Sequence, residues 1–198
     1  MNITGRVFAA ISVVLVVLDQ WTKYLAVAGL TNAFSGAAGL GERLVRFQTA
    51  QHPRPIRLVA VLDDFWHFRY AENTGAAFSF LANADAWFRR PFFVTVSTVA
   101  LVAIAIYFRR QDSKLRLLRF SLALIFGGAL GNLIDRIRLG YVIDFISWHW
   151  YDKFTWPTFN VADSAITVGV VLMFIVSWTD DRVDMGSDAQ PSKKSSGG

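Results

Sequence analysis

The 198-residue chain contains no cysteine. That removes disulfides, thiolate nucleophiles and Cys-ligated zinc or iron–sulfur sites from consideration. It contains only three histidines, His52, His67 and His149, and no two stand at i, i+3 or i+4. Nothing in the sequence calls for a metal or any other cofactor. Charge is also scarce: 18% of residues are charged and 54% are hydrophobic, and the mean hydropathy is +0.37. A soluble domain carries roughly 25% charged residues. The deficit falls in long uncharged blocks, which excludes an ordinary water-soluble fold.

Four such blocks are expected to span a membrane, at about 7–28, 91–108, 117–136 and 161–179. Crossing the hydrocarbon takes about 20 apolar residues, with 17–25 tolerated. A soluble core helix is the alternative for any single block, but not for four. Arg6, the apolar run after it and Ala26-Val27-Ala28 also resemble a cleavable secretory signal. Asp19, Gln20 and Lys23 interrupt that run, and three more spans follow, so a retained helix is expected. The fold class is therefore an α-helical membrane protein with four transmembrane helices. Residues 1–180 form its single domain, and 181–198 a disordered cytoplasmic tail.

The +5 net charge would suggest nucleic acid if it were spread over a surface, but it is topological. The loop between the second and third spans holds Arg109, Arg110, Lys114, Arg116 and Arg119 against Asp112. The loop between the third and fourth balances Arg138 and Lys153 against Asp144 and Asp152. Short basic loops stay cytoplasmic. Both termini are thus expected inside and the segment 31–90 outside. Trp66, Trp87, Trp148, Trp150 and Trp156 fall in the two outer loops, and indoles favour the headgroup level. Lipid is an expected partner and nucleic acid is not.

Five charged residues remain with the spans: Asp19, Lys23, Asp135, Arg136 and Asp163. An ionisable group inside a bilayer costs about 2.5–3.5 kcal/mol on insertion scales and is a functional candidate by default. Asp19 lies roughly 18 Å along the first helix at 1.5 Å per residue, beyond the midplane. Asp135 and Arg136 end the third helix, Asp163 begins the fourth, and Asp144 lies in the loop joining them. Four carboxylates thus converge at the outer end. Asn132, Asp135 and Arg136 share one helix face, as do Asp19 and Lys23. Gly127 and Gly131 form a small-xxx-small pair that allows close packing.

Simpler roles stand beside these. Asn160 is also a candidate N-cap, with Asp163 serving the positive helix end. Asp135–Arg136 is a candidate structural ion pair, and Asp144 alone would pass for a solvated loop residue. In the outer segment, 65–70 and 76–80 read as two strands joined by Glu72-Asn73-Thr74-Gly75, with Gly75 available for positive φ. Such a small sheet could hold an extended peptide by strand addition, or could be an ordinary structural hairpin.

Five stretches, Asp19-Gln20-Trp21-Thr22-Lys23, Asn73-Thr74-Gly75-Ala76-Ala77-Phe78-Ser79, Gly131-Asn132-Leu133-Ile134-Asp135-Arg136, Val142-Ile143-Asp144-Phe145 and Phe159-Asn160-Val161-Ala162-Asp163, occur in one order. In this the chain resembles the lipoprotein signal peptidases (signal peptidase II), over roughly residues 7–178. The resemblance implies an aspartyl peptidase of the bacterial cytoplasmic membrane. Such an enzyme cuts prolipoproteins just before a cysteine that bears diacylglycerol. It implies Asp144 and Asp163 as the catalytic pair. Asp19, Lys23, Asn73, Asn132, Arg136 and Asn160 would support the pair or bind substrate; Gly75 and Asp135 join them as neighbours within the same motifs. A monomer is expected. The stretch 31–62 is longer than the family pattern leads one to expect, and is taken as an inserted hairpin or a disordered loop.

Two desolvated carboxylates close together share a proton, one acting as base toward water and the other as acid toward the scissile amide. A proton-coupled transporter is the main rival, but it needs charges reachable from both faces, and the inner halves of the spans are nearly bare. A docking factor gives no reason for the convergence. A Ser–Lys peptidase lacks a paired Ser and Lys at the outer end.

Overall fold

A computed structural model describes residues 3–75, 85–151 and 153–187. Four of its helices are long and apolar enough to cross a membrane: α1 (Gly5–Leu30), α3 (Ala86–Arg110), α4 (Arg116–Arg138) and α5 (Val161–Ser187). α1 is capped by Thr4, whose hydroxyl accepts the Val7 N–H at 3.4 Å, as an N-cap residue should. α3 begins at Ala86, before the boundary expected at 91, and carries Pro91 inside. α5 continues past 180 to Ser187, so the polar tail begins as helix. Residues 188–198 lie outside the described residues.

α4 is the central helix, packing on α1, α3 and α5, and its small residues make this possible. A Cβ on Gly131 would sit 2.6 Å from Asp19 Oδ2, and one on Gly127 3.0 Å from Leu15 Cβ. Both halves of the small-xxx-small pair therefore face α1. Gly128 faces the other way, where a Cβ would meet the Ala162 carbonyl of α5 at 2.5 Å. Large apolar residues such as Val13, Val17, Val99, Val102, Val171 and Phe174 point outward. In a bilayer these face lipid.

The two ends of the bundle differ. At the end holding the α3–α4 connection, Arg119 is buried. Its guanidinium donates to the carbonyls of Ile3 (2.7 Å), Phe108 (3.1 Å) and Gln111 (2.6 Å) and lies 3.9 Å from the Phe108 ring. The charge near the start of the third apolar block is thus a cap for the last carbonyls of α3. Phe8 stacks beside it on Phe108, centroids 4.0 Å apart.

The opposite end carries an antiparallel sheet in the order β1 (Val59–Leu62), β2 (Trp66–Asn73), β3 (Val142–Trp150) and β4 (Phe154–Thr155). This corrects the expected hairpin. Glu72 and Asn73 belong to the strand, and β2 is flanked by β1 and β3; the anticipated second strand at 76–80 lies outside the described residues. Gly75 is not left-handed: among the described glycines only Gly36 (φ 73°) and Gly140 (φ 86°) are. Its N–H is accepted instead by Asn73 Oδ1 at 3.2 Å, an Asx turn that needs no positive φ. Gly140 stands two residues past α4, where its conformation ends the helix and starts β3.

The stretch 31–62 is neither a hairpin nor disordered. It forms α2 (Leu40–Thr49) and then β1. Phe47 of α2 buries edge-on against Tyr24 of α1 at 5.5 Å. Arg46 pairs with Glu42 one turn earlier and donates to the Ser35 carbonyl at 2.7 Å. Isolated short helices are marginal, so α2 depends on this packing.

Candidate active site

Two backbone features bring the acids together. β2 bulges beside Asp144: Ala71 faces Asp144 and Phe68 faces Ile146, so Arg69 and Tyr70 oppose Phe145 alone. Bulges re-aim side chains and are common next to active sites. The segment before α5 then pairs back on β3. Phe159 exchanges backbone hydrogen bonds with Ile146 at 2.8 and 3.0 Å, and its carbonyl also accepts from Phe145 N–H at 3.1 Å. This sets the first turn of α5 against β3.

Asn160 occupies the junction. Its Oδ1 accepts the Asp163 N–H at 2.9 Å, while Asp163 Oδ2 accepts the Asn160 N–H at 3.2 Å. That reciprocal pair is a capping box, so the N-cap role holds. The remaining Asn160 Nδ2 hydrogens reach Asp144 Oδ1 at 2.7 Å, Asn132 Oδ1 at 3.2 Å and the Ile143 carbonyl at 3.3 Å. One fully buried amide thus caps the helix and touches both acids.

Asp144 is 2% exposed. Besides Asn160 it accepts from Asn73 Nδ2 at 3.1 Å. Asp163 is half-buried and accepts from Asn132 Nδ2 at 2.8 Å. Neither acid has a cation within ion-pair distance among the described residues. Burial pushes the Asp144 carboxyl up to about 7, the negative charge of Asp163 adds to the rise, and the Asn73 and Asn160 amides and the more distant charge of Lys23 oppose it. Desolvation is the main cause of the rise and the neighbouring Asp163 charge the second.

A second acid pair lies behind the first and is fully ion-paired. Lys23 Nζ bonds to Asp19 Oδ2 at 2.8 Å, Asp135 Oδ2 at 2.8 Å and Asn132 Oδ1 at 2.9 Å. Arg138 Nη2 meets the other oxygen of Asp135 at 2.9 Å. The backbone contributes as well, Ala162 N–H to Asp19 at 3.2 Å and Ile143 N–H to Asp135 at 3.3 Å. An ammonium has donors only, so Lys23 fixes which end of Asn132 it meets and turns the Nδ2 toward Asp163.

All the residues singled out from sequence meet here, with one change of partner. Asp135 does not pair with Arg136, since adjacent residues on a helix point about 100° apart. Arg136 faces away, donating to the Gly75 carbonyl at 3.3 Å and to its own helix at Asn132 O, 3.5 Å, with its guanidinium 5.4 Å from the Phe93 ring. Gly75 therefore enters through its backbone. Sequence reasoning passed over Gln20 and Arg138. Gln20 Nε2 bridges Asp19 (3.2 Å), Asp135 (3.1 Å) and the Gly131 carbonyl (3.3 Å). Arg138 was legible at i+3 from Asp135. The three histidines lie apart, His67 and His149 sharing the Asp63 carbonyl and His52 pairing with Glu72 at 2.5 Å.

Known proteins are similar to this chain over most of its length. A family model described as signal peptidase (SPase) II matches residues 11–179. Proteins named lipoprotein signal peptidase are 43% identical in Anaeromyxobacter sp. (strain Fw109-5), over 96% of this chain and 93% of theirs, and 43% identical in Geobacter metallireducens, over 89% and 93%. A solved structure described as a bacterial membrane enzyme determined by the in meso method at 2.3 Å resolution superposes with a TM-score of 0.66 at 28% identity, over 97% of this chain and 96% of that one. With the family's span covering nearly all four membrane helices and the acid cluster, this chain is a member of the signal peptidase II family, a membrane peptidase.

Proposed function

We propose that the protein is an aspartyl endopeptidase that removes the signal peptide from diacylglyceryl-modified prolipoproteins, cutting immediately before the lipidated cysteine. Asp144 and Asp163 are its catalytic pair. The observation that carries this reading is that these two acids, alone in the cluster, are held by amides and not by cations. A cation in contact favours the ionised carboxylate more strongly than a neutral amide does, so an amide-held acid takes and releases a proton more readily.

Asp163, the more exposed of the two, takes a proton from the attacking water. Asp144, buried and titrating late, holds the shared proton, polarises the scissile carbonyl and passes the proton toward the departing amine. The titration belongs to the pair as a unit. Asn73 and Asn160 fix Asp144, Asn132 fixes Asp163, and the ion-paired Lys23, Asp19 and Asp135 fix Asn132. Arg136 and the Gly75 carbonyl stand beside the pair, where an extended substrate backbone would pass. The charge distribution supports cytoplasmic termini and a site at the outer face. The chain acts as a monomer.

The test is direct. Detergent-purified protein is incubated with a diacylglyceryl precursor peptide and with the same peptide unlipidated, and products are identified by gel mobility and mass spectrometry. A single cut before the lipidated cysteine is expected, with the unlipidated peptide left intact. Absence of cleavage, or a cut elsewhere, would count against the reading.

A further inference from the structure

Asp144 and Phe145 are neighbours on β3 and so face opposite sides of the sheet. Behind the sheet, on the Phe145 side, lies a cavity of about 310 Å³ that the peptidase reading does not use. Thr22, Leu25 and Gly29 of α1 form one wall, and Val59, Phe68 and Phe145 of the sheet the other. The lining is almost wholly apolar. At its rim is a single charged residue, Arg57.

Arg57 is held in place without being neutralised. Its Nε donates to the Gly29 carbonyl at 2.7 Å, near the C-terminal end of α1, and its Nη2 is 3.8 Å from where a Cβ on Gly29 would stand. No ion pair involves it among the described residues, and it is exposed. The cavity is also continuous with the lipid-facing surface. Val14, Leu18, Leu25 and Gly29 fall on one face of α1, and the first three are 56%, 47% and 49% exposed. A chain lying along that stripe in the bilayer leads upward into the cavity and ends under the guanidinium.

We infer that this cleft between α1 and the back of the sheet binds a membrane glycerophospholipid, with an acyl chain between Leu25 and Phe145 and the phosphate on Arg57. An apolar slot closed by one unpaired guanidinium matches a long hydrocarbon that ends in an anionic, multiply accepting group. The diacylglyceryl group of a substrate does not fit as well. It carries no charge for Arg57, and it is tethered next to a scissile bond that would lie on the Asp144 side of the sheet.

The inference is tested by native mass spectrometry of the detergent-purified full chain, titrated with dioleoylphosphatidylglycerol and, separately, with dioleoylglycerol, which has the same chains and no phosphate. The wild type is expected to take up one phosphatidylglycerol with at least about tenfold preference, the worth of a charged hydrogen bond. Arg57→Gln should abolish the preference, and Thr22→Phe, which fills the slot, should weaken binding of both lipids. Equal uptake of the two lipids by the wild type would overturn the proposal, and so would a preference that survives Arg57→Gln.

Discussion

Two pairs of aspartates stand at one end of the bundle and are treated oppositely. Asp19 and Asp135 are 1% and 0% exposed and have Lys23 and Arg138 within 2.9 Å. Among the described residues, Asp144 and Asp163 accept hydrogen bonds from Asn73, Asn132 and Asn160 and have no cation within ion-pair distance. The first pair shares Lys23 and so ties α1 to α4. The second keeps a proton within reach of neutral pH. The two pairs differ less in depth of burial than in the charge of their hydrogen-bond donors, and on the proposed function that difference separates structural from reactive acids. The single amide of Asn132 joins the pairs, accepting from Lys23 and donating to Asp163.

The largest effects should come from the amide-held pair. On the proposed function, Asp144→Asn and Asp163→Asn each remove a proton-transfer group, and each should lower cleavage of a diacylglyceryl peptide by about 10³-fold or more, with the protein still folded by circular dichroism. The ion-paired acids should respond in stability instead. Lys23→Met leaves two buried carboxylates with one cation and should cost about 3–5 kcal/mol, read as a lower unfolding midpoint in detergent. A Lys23→Met protein as stable as the wild type would erase the distinction between the pairs. The connecting residue should show the smallest and most specific change. Asn132→Ala removes one charged hydrogen bond from Asp163 and should reduce kcat roughly 10- to 100-fold, with KM little altered.

Most of the helical frame was legible because crossing a membrane imposes a length and a near-absence of charge, and α1, α3, α4 and α5 each contain one of the four apolar blocks. The acids were legible for the same reason, since a charge in an apolar block stands out. Their partners were less so. Asp135 was matched to Arg136 by proximity in sequence, whereas Lys23 and Arg138 hold it; a contact from α1 to α4 spans over a hundred residues and leaves no periodic trace. The sheet was half-read. β3 has the sequence Val-Ile-Asp-Phe-Ile-Ser-Trp-His-Trp, whose alternation is blurred because its first half is buried on both faces. α2 could not be anticipated from propensity, as it is held by tertiary contacts, Phe47 packing on Tyr24 and Arg138 of α4 donating to the Phe47 carbonyl at 2.6 Å.

The central claim, that one carboxyl of the amide-held pair keeps its proton unusually late, can be measured by infrared titration of the protonated-carboxyl stretch in aspartate-labelled protein. The Asp144 carboxyl lies above its ordinary 3.8, at about 7. Its contribution to stability is therefore full below about pH 4 and is lost as pH rises toward 7. A protonated band should persist above pH 6, fall to half its intensity near pH 7, and be missing at those pH values in Asp144→Asn; in Asp163→Asn it should vanish at lower pH, because the repelling neighbour is gone. Loss of every such band below pH 5 in the wild type, or a late band that survives Asp144→Asn, would contradict the account.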